Sequence, residues 1–303
     1  MSPARSLLVT GATGKQGGAL ISALLSKPNQ PFEIYALTRN TASRSAQALA
    51  SKPGTKLVKG DLEDCPAIFR EIEKPWGVFS VQLPLPNAKV EEKRGKALTD
   101  AAIKAGVRHL VYTSGDRGGN ERSERDPTNV PHFVSKYNIE KDIREKADAS
   151  KQGMTWTILR PVAFMENLTP DFIGKAFATL WWLNGADQKL QLISTVDIGI
   201  VAAEAFLNAE SEEFRNKAIS LAGDELAPVD ANAIFKKQVG ADMPTTYSFV
   251  GRLIRFGLKE QLGLMFDWFK AQGFGADVAG LKKRYPGTQD FSTWLRETSK
   301  FGK

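Results

Sequence analysis

The sequence predicts a doubly wound parallel α/β sheet with a smaller, mostly helical C-terminal annex, and three observations carry that prediction. Short apolar runs alternate with longer helical patterns over the first 115 residues. A glycine-rich turn joins the first run to the first helix. After about residue 160 the alternation gives way to helices separated by Gly- and Pro-bearing turns. Strand, helix and strand at this spacing mean parallel neighbours joined by right-handed crossovers, because a parallel pair needs a long connection.

The strands read as residues 6–10, 33–38, 56–59, 77–81 and 109–113, and the helices between them as 16–26, 43–51, 66–73 and 90–105, the last ended by Gly106. A helix at 134–146 leads to a strand at 155–159, and 218–221 supplies a seventh short strand that returns to the sheet. Helices are expected at 196–208, 230–238, 252–271 and 291–298. The division falls at 160: a nucleotide-binding domain over 1–160 and an annex over 161–303 for substrate or partner, closing one side of a cleft. The apolar stretch 164–183 holds Glu166, Pro170, Asp171 and Lys175, and so reads as buried or pocket-lining structure.

Hydrophobic residues at 42% and charged ones at 25% exclude a disordered chain, a collagen-like fibre and a disulfide scaffold. The net charge of +7 is spread among acids, as in EEKRGK at 91–96 and NERSERD at 120–126. That is the pattern of solvated faces, and no direct nucleic-acid contact is expected. One cysteine, Cys65, and two histidines leave no disulfide and no dedicated zinc cluster. A reducing, cytoplasmic setting follows, with entry to the nucleus left open. No small-residue cleavage site follows the N-terminus and no window of about 18 apolar residues occurs, so neither secretion nor a membrane is expected.

The strand LLVT runs into GATGKQGG and then a helix, with Gly11, Gly14 and Gly17 as G-x-x-G-x-x-G. Positions without Cβ allow a tight turn and let a pyrophosphate approach the backbone at the helix N-terminus. No Gly-Lys-Ser/Thr follows, so this is not a Walker A loop. The second strand ends in Arg39, followed by Asn40, Thr41 and Ser43 with Arg44 beside them, and no acid lies there. An arginine fork suits the 2′-phosphate of NADP(H), where an acid would select NAD. Asp61 in KGDLED either faces the adenine or forms a turn.

GATGKQGG, LTRN, GDLED, the block EEKRGKALTDAAIKAGVRHLVYTS, HFVSK and RPVAFMENL occur in that order. In this combination the chain resembles the NmrA-like proteins, atypical short-chain dehydrogenases/reductases, from about residue 6 to 225. The resemblance implies an NADP(H)-binding oxidoreductase, or a redox-sensing regulator that binds the nucleotide without turnover and acts through a protein partner. The nucleotide site it implies comprises Gly11, Ala12, Thr13, Gly14, Lys15 and Gln16, then Arg39, Asn40, Thr41, Ala42 and Ser43, then Asp61 with Leu62. Gln82, Leu83, Pro84, Lys93, Lys136, Phe164, Met165, Glu166 and Asn167 complete it.

Ordinary short-chain reductases carry Tyr-x-x-x-Lys on one helix, where the ammonium lowers the phenol's pKa. Tyr137 and Lys141 match that string literally. The family's H-F-x-x-K register instead puts Lys136 in the lysine position and His132 in the tyrosine position. Lys136 would orient the cofactor, and either His132 or Ser114 would handle the proton. An unperturbed histidine, with a pKa of about 6.5, suits that task, or His132 is merely a loop residue beside Pro131. Ser114, ending the fifth strand, either holds a substrate carbonyl or is an ordinary strand exit. Cys65 reads as inert because Asp64 raises its pKa. Trp181, Trp182, Phe172 and Phe177 line a substrate cavity or form annex core. The expected activity is hydride transfer between the nicotinamide and a small carbonyl or imine compound.

Overall fold

A computed structural model of the protein describes residues 4–72, 74–150 and 153–301. β1 (Arg5–Val9), α1 (Lys15–Leu25), β2 (Phe32–Thr38), α2 (Arg44–Ala50), β3 (Thr55–Lys59), α3 (Cys65–Arg70), β4 (Pro75–Ser80), α4 (Ala88–Lys104) and β5 (His109–Thr113) alternate strictly. They are followed by α5 (Asn120–Ser123), α6 (Pro131–Ala149), β6 (Thr155–Pro161), β7 (Ala163–Phe164), α7 (Phe172–Asn184), β8 (Leu190–Ile193), α8 (Thr195–Leu207), β9 (Lys217–Leu221) and β10 (Asp224–Leu226). The chain then runs through α9 (Pro228–Val239), α10 (Ser248–Gly257), α11 (Leu264–Ala271), α12 (Val278–Arg284) and α13 (Phe291–Glu297).

Seven strands form one sheet in the order β3-β2-β1-β4-β5-β6-β9. The pairings from β3 to β6 are parallel. Every residue of β5 and β6 is buried, as expected for central strands covered on both faces. The doubly wound sheet is thus the one its alternating runs predict, with the order reversing between β1 and β4.

The described residues form two compact units that interleave along the chain: 1–114, 135–159 and 198–219 in the first, 115–134, 160–197 and 220–303 in the second. The first is centred on Leu8, Val78, Leu110, Ile139 and Ile158, all fully buried. It includes most of α8, which the sequence reading grouped with the annex. A Cβ on Gly199 of α8 would lie 2.5 Å from the Ala19 carbonyl carbon of α1, so the two backbones pack almost in contact. The second unit has its own core of Trp181, Phe266, Phe291 and Trp294 and a three-stranded sheet, β10-β8-β7.

The differences from the predicted elements have local causes. α6 starts at Pro131 rather than 134, since proline is well suited to a first helical position. α3 starts at Cys65, where the Asp64 side chain accepts from the Ala67 N–H at 3.1 Å; Glu73, at the end of the predicted helix, lies outside the described residues. The single helix expected over 252–271 is broken by a π-turn at Lys259–Gly263 between Gly257 and α11, where glycines weaken the helix. The stretch 164–183 contains a helix, α7, capped by Asp171, whose carboxylate accepts from the Ile173 and Gly174 N–H groups. On it Phe177 and Trp181 are core, Trp182 packs against that core, and Phe172 is exposed. Among the described residues no helix is long and apolar enough to cross a membrane.

Candidate functional site

Parallel strands bring the C-terminal ends of β1 to β5 to one edge, and the reversal between β1 and β4 opens a crevice there. Thr10 ties the two strands across it: its Oγ1 donates to the Phe79 carbonyl at 2.9 Å and accepts from the Val81 N–H at 2.9 Å. Gly11 turns the chain with φ +57°, and a Cβ there would meet Val81 Cγ1 at 2.7 Å. At Gly17 a Cβ would come within 2.4 Å of the Gly11 carbonyl oxygen, so only glycine lets α1 start this close to β1. Gly14 is the N-cap of α1 and no side chain caps it, which leaves the first N–H groups and the positive end of the helix dipole facing outward. Ala12 is buried beneath the turn, Thr13 and Lys15 are exposed, and Gln16 Oε1 accepts from Thr113 Oγ1 at 2.6 Å.

Arg39 follows β2, is exposed, and has no ion-pair partner among the described residues. The turn after it organises itself: Asn40 Oδ1 accepts from the Ala42 N–H at 3.0 Å, Ser43 Oγ donates to the Asn40 carbonyl, and the Thr41 carbonyl takes Gln47 Nε2 at 2.7 Å. Asp61, after β3, accepts from the Glu63 N–H at 3.1 Å, which is the turn-forming alternative, while Leu62 packs against the core. After β4, Gln82 is only 4% exposed; its Nε2 donates to Ser80 Oγ at 2.9 Å, and its Oε1 has no partner among the described residues. A buried acceptor left open at a strand end is an unmet hydrogen bond that a ligand donor would satisfy. Leu83 is exposed and Pro84 half-buried. Lys93 lies on the outer side of α4, its ammonium 3.2 Å from Glu63, which also takes Arg94 Nε at 2.7 Å.

Ser114, at the end of β5, is buried, and its hydroxyl donates to Glu140 of α6, whose other oxygen takes Arg144 at 3.2 Å. Lys136, one turn before Glu140, has a side chain 15% exposed and an ammonium 2.7 Å from Glu91 Oε1 on α4. The literal Tyr137–Lys141 match differs: Lys141 is 62% exposed and pairs with Glu145 at 3.7 Å.

The remaining candidates belong to the second unit. His132 stands on the first turn of α6 rather than in a loop, its ring 4.7 Å from that of Phe133. Met165 is fully buried core. Glu166 accepts from the Thr195 N–H at 3.0 Å, Ser194 Oγ at 3.3 Å and the Trp294 indole at 3.2 Å, so its carboxylate is committed within that unit. Phe164 and Asn167 are half-buried.

Cys65 is buried, and its thiol is pushed up to about 11, first by burial and then by Asp64, Glu63 and Asp61. Burial outweighs the acidic neighbour that the sequence reading held responsible. The two stretches read as solvated faces also prove partly internal. Glu91 of EEKRGK is fully buried and holds Lys136; its position on one helical face with Gly95, Leu98 and Ala102 was the available signal. In NERSERD, Ser123 is buried and Glu124 pairs at 2.8 Å with Arg160, itself fully buried. Beside it Asp116, also unforeseen, accepts from the N–H groups of Gly118, Gly119 and Gly275 and, at 2.5 Å, from Ser220 Oγ. Among the described residues no group of three or more His, Cys, Asp and Glu is placed to hold a metal.

The model of the NmrA-like family matches residues 3–295. An NmrA-like family domain-containing oxidoreductase of Malbranchea aurantiaca is 27% identical over 68% of this chain and 65% of its own length. One from a Cladobotryum species is 31% identical over 56% of this chain and 50% of its own, so the chain spans between half and two thirds of these relatives. An NmrA-like family domain-containing protein of Dictyostelium discoideum is 24% identical over 91% of this chain and 90% of that one. Among solved structures, the NADPH-dependent quinone oxidoreductase of Escherichia coli complexed with NADPH superposes with a TM-score of 0.71 at 23% identity, covering 94% and 97% of the two chains. The negative transcriptional regulator NmrA in complex with NADP gives 0.71 at 18% identity, covering 98% and 96%.

Proposed function

The chain belongs to the NmrA-like family, and from that premise we propose that it is a cytoplasmic NADP(H)-dependent oxidoreductase acting on a small organic carbonyl or imine compound. The observation that carries the reading is the glycine turn at the β1/β4 reversal, where the uncapped N-terminus of α1 meets an edge holding an arginine and a buried acceptor that have no partner among the described residues. These residues fit the nucleotide. The N–H groups of Thr13, Lys15 and Gln16 would hold the pyrophosphate, since they lie at the uncapped start of α1 where the dipole's positive end is, while the Gly14 N–H closes the turn onto the Gly11 carbonyl at 2.9 Å. Arg39 would fork onto the 2′-phosphate, with no acid competing for it. Gln82 Oε1 would accept a hydrogen bond from the nicotinamide side, and Lys136 would keep donors for the ribose after pairing with Glu91. When bound, the reduced nicotinamide supplies a hydride. The protein's part is to orient it, and to pass a proton at His132 Nε2 or Nδ1 or at Ser114 Oγ.

A second reading, a nucleotide-dependent regulator acting through a protein partner, is favoured by one observation. The Ser114 hydroxyl, one of the two groups proposed to handle the proton, already gives its hydrogen to Glu140. Calorimetric titration and a turnover assay separate the two. The enzyme reading expects NADPH to bind and its absorbance to fall with at least one of a panel of quinones, aldehydes and imines; tight binding with no turnover by any of them selects the regulator. Gly14→Val should remove binding in a folded protein, because even a Cβ at that cap would lie 3.1 Å from the Gly11 carbonyl and branching fills the phosphate cradle. Normal NADPH binding by that variant would move the nucleotide elsewhere.

A further inference from the structure

Glu91 is a fully buried acid, and both its oxygens are taken by α6: Oε1 by the Lys136 ammonium at 2.7 Å and Oε2 by the Ser135 hydroxyl. The two helices are held together at this height. Asn138 Nδ2 donates to Glu92 Oε2 at 2.9 Å, and a Cβ on Gly95 would come 2.5 Å from Ile139 Cδ1, so α4 and α6 approach too closely for a larger residue. A lysine on a four-carbon stem has many rotamers, and a ligand that must order them binds less well. Here one of the three ammonium hydrogens points at a carboxylate that is itself pinned by a second bond, so the other two have fixed directions before any ligand arrives.

Resting on the NADP(H) reading of this edge, we propose that Glu91 is a positioning residue: through Lys136 it presets the binding of the nicotinamide ribose. The nicotinamide half of the dinucleotide then depends on α4, and the adenine half does not. Adenosine 2′,5′-bisphosphate, which keeps the adenine, its ribose and the 2′-phosphate but lacks the nicotinamide ribose, separates the halves. Calorimetric titration of the wild type, Glu91→Gln, Glu91→Asp and Lys136→Ala with NADPH and with the bisphosphate should show NADPH weakened roughly tenfold in Glu91→Gln and in Lys136→Ala. The bisphosphate should bind all four proteins alike. Glu91→Asp keeps the charge, serves if Glu91→Gln does not fold, and should show a smaller loss also confined to NADPH. Equal weakening of both ligands by the Glu91 variants, unchanged NADPH affinity in them, or a Lys136→Ala protein of normal affinity would each overturn the proposal. A wild type that binds neither ligand would instead defeat the nucleotide reading on which it stands.

Discussion

The strand-end edge of the first unit and the polar knot of the second treat hydrogen bonds in opposite ways. At the edge, Arg39 has no ion-pair partner among the described residues, Gln82 Oε1 is buried and open, and α1 begins without a side-chain cap. In the knot, Asp116 accepts from four donors, the Arg117 Nη atoms donate to the Gly115 and Ser123 carbonyls, and Arg160 is held by Asn120 and Glu124. Both regions are rich in charge, yet the edge leaves the buried Gln82 acceptor open, whereas the Asp116 carboxylate of the knot is filled. An open buried acceptor at a strand end can receive a ligand donor, whereas a filled carboxylate is architecture, and a charge pattern alone does not distinguish the two.

Substitutions in the two regions should therefore register in different assays. The largest effect belongs to the knot: Asp116→Ala strands the buried Gly119 N–H and leaves the Gly118, Gly275 and Ser220 donors short of an acceptor, and should cost about 3–5 kcal/mol of unfolding free energy in a urea titration, with no direct effect on NADPH contacts. A loss under 1 kcal/mol would break the contrast. Next is the exception within the second unit. Asp197 is buried, Oδ2 accepts from the Gln289 N–H at 3.0 Å, and Oδ1 has no partner among the described residues. Burial pushes its carboxyl up to about 7, with Glu166 adding to the rise. A carboxyl raised in the folded state stabilises fully below its ordinary pKa near 4, and that contribution is lost as pH climbs through 7. Wild type should accordingly lose roughly 3–4 kcal/mol relative to Asp197→Asn between about pH 4 and pH 8; parallel pH profiles for the two proteins would show Asp197 to be ordinary.

At the edge, Arg39→Ala should leave urea stability within about 0.5 kcal/mol while removing an NADPH-over-NADH preference of roughly tenfold or more. Equal wild-type affinities for the two nucleotides would deny the arginine its role. The smallest change is expected at the literal Tyr137–Lys141 string, whose lysine is 62% exposed. Tyr137→Phe and Lys141→Ala should each stay within about 0.5 kcal/mol in stability and leave NADPH affinity unaltered. Inactivity of Tyr137→Phe beside an active Lys136→Ala would reverse the register.

The parallel sheet and the loops at its strand ends were legible because their signals are local: period, glycine spacing and the residue that closes each strand. Partnerships were not. Ser114 meets Glu140 across 26 positions, Lys136 meets Glu91 across 45, and Asp116 meets Gly275 across 159. No local pattern reports such distances, so Glu91 was read as solvent-facing although its helical phase with Gly95 and Leu98 pointed inward. β7, β8 and β10 are two to four residues long, too short for an alternation to show. The break at Gly257 was written in the sequence, but tolerated glycines inside helical patterns are common enough to hide it.

The interleaving of the two units has a consequence for synthesis. The chain passes from one to the other at 114/115, 134/135, 159/160, 197/198 and 219/220, so neither unit is a continuous stretch. An emerging chain that has delivered β1 to β6 still lacks α8 and β9, and Gly77, whose missing Cβ makes room for the Phe206 ring, waits without that ring. The sheet unit therefore stays incomplete on the ribosome until residue 219 has emerged, and its late closure across long sequence separations makes for slow folding with apolar surface uncovered meanwhile. A fragment cut at 160 would inherit that unfinished state permanently and need a chaperone or a complementing 198–219 peptide to remain in solution.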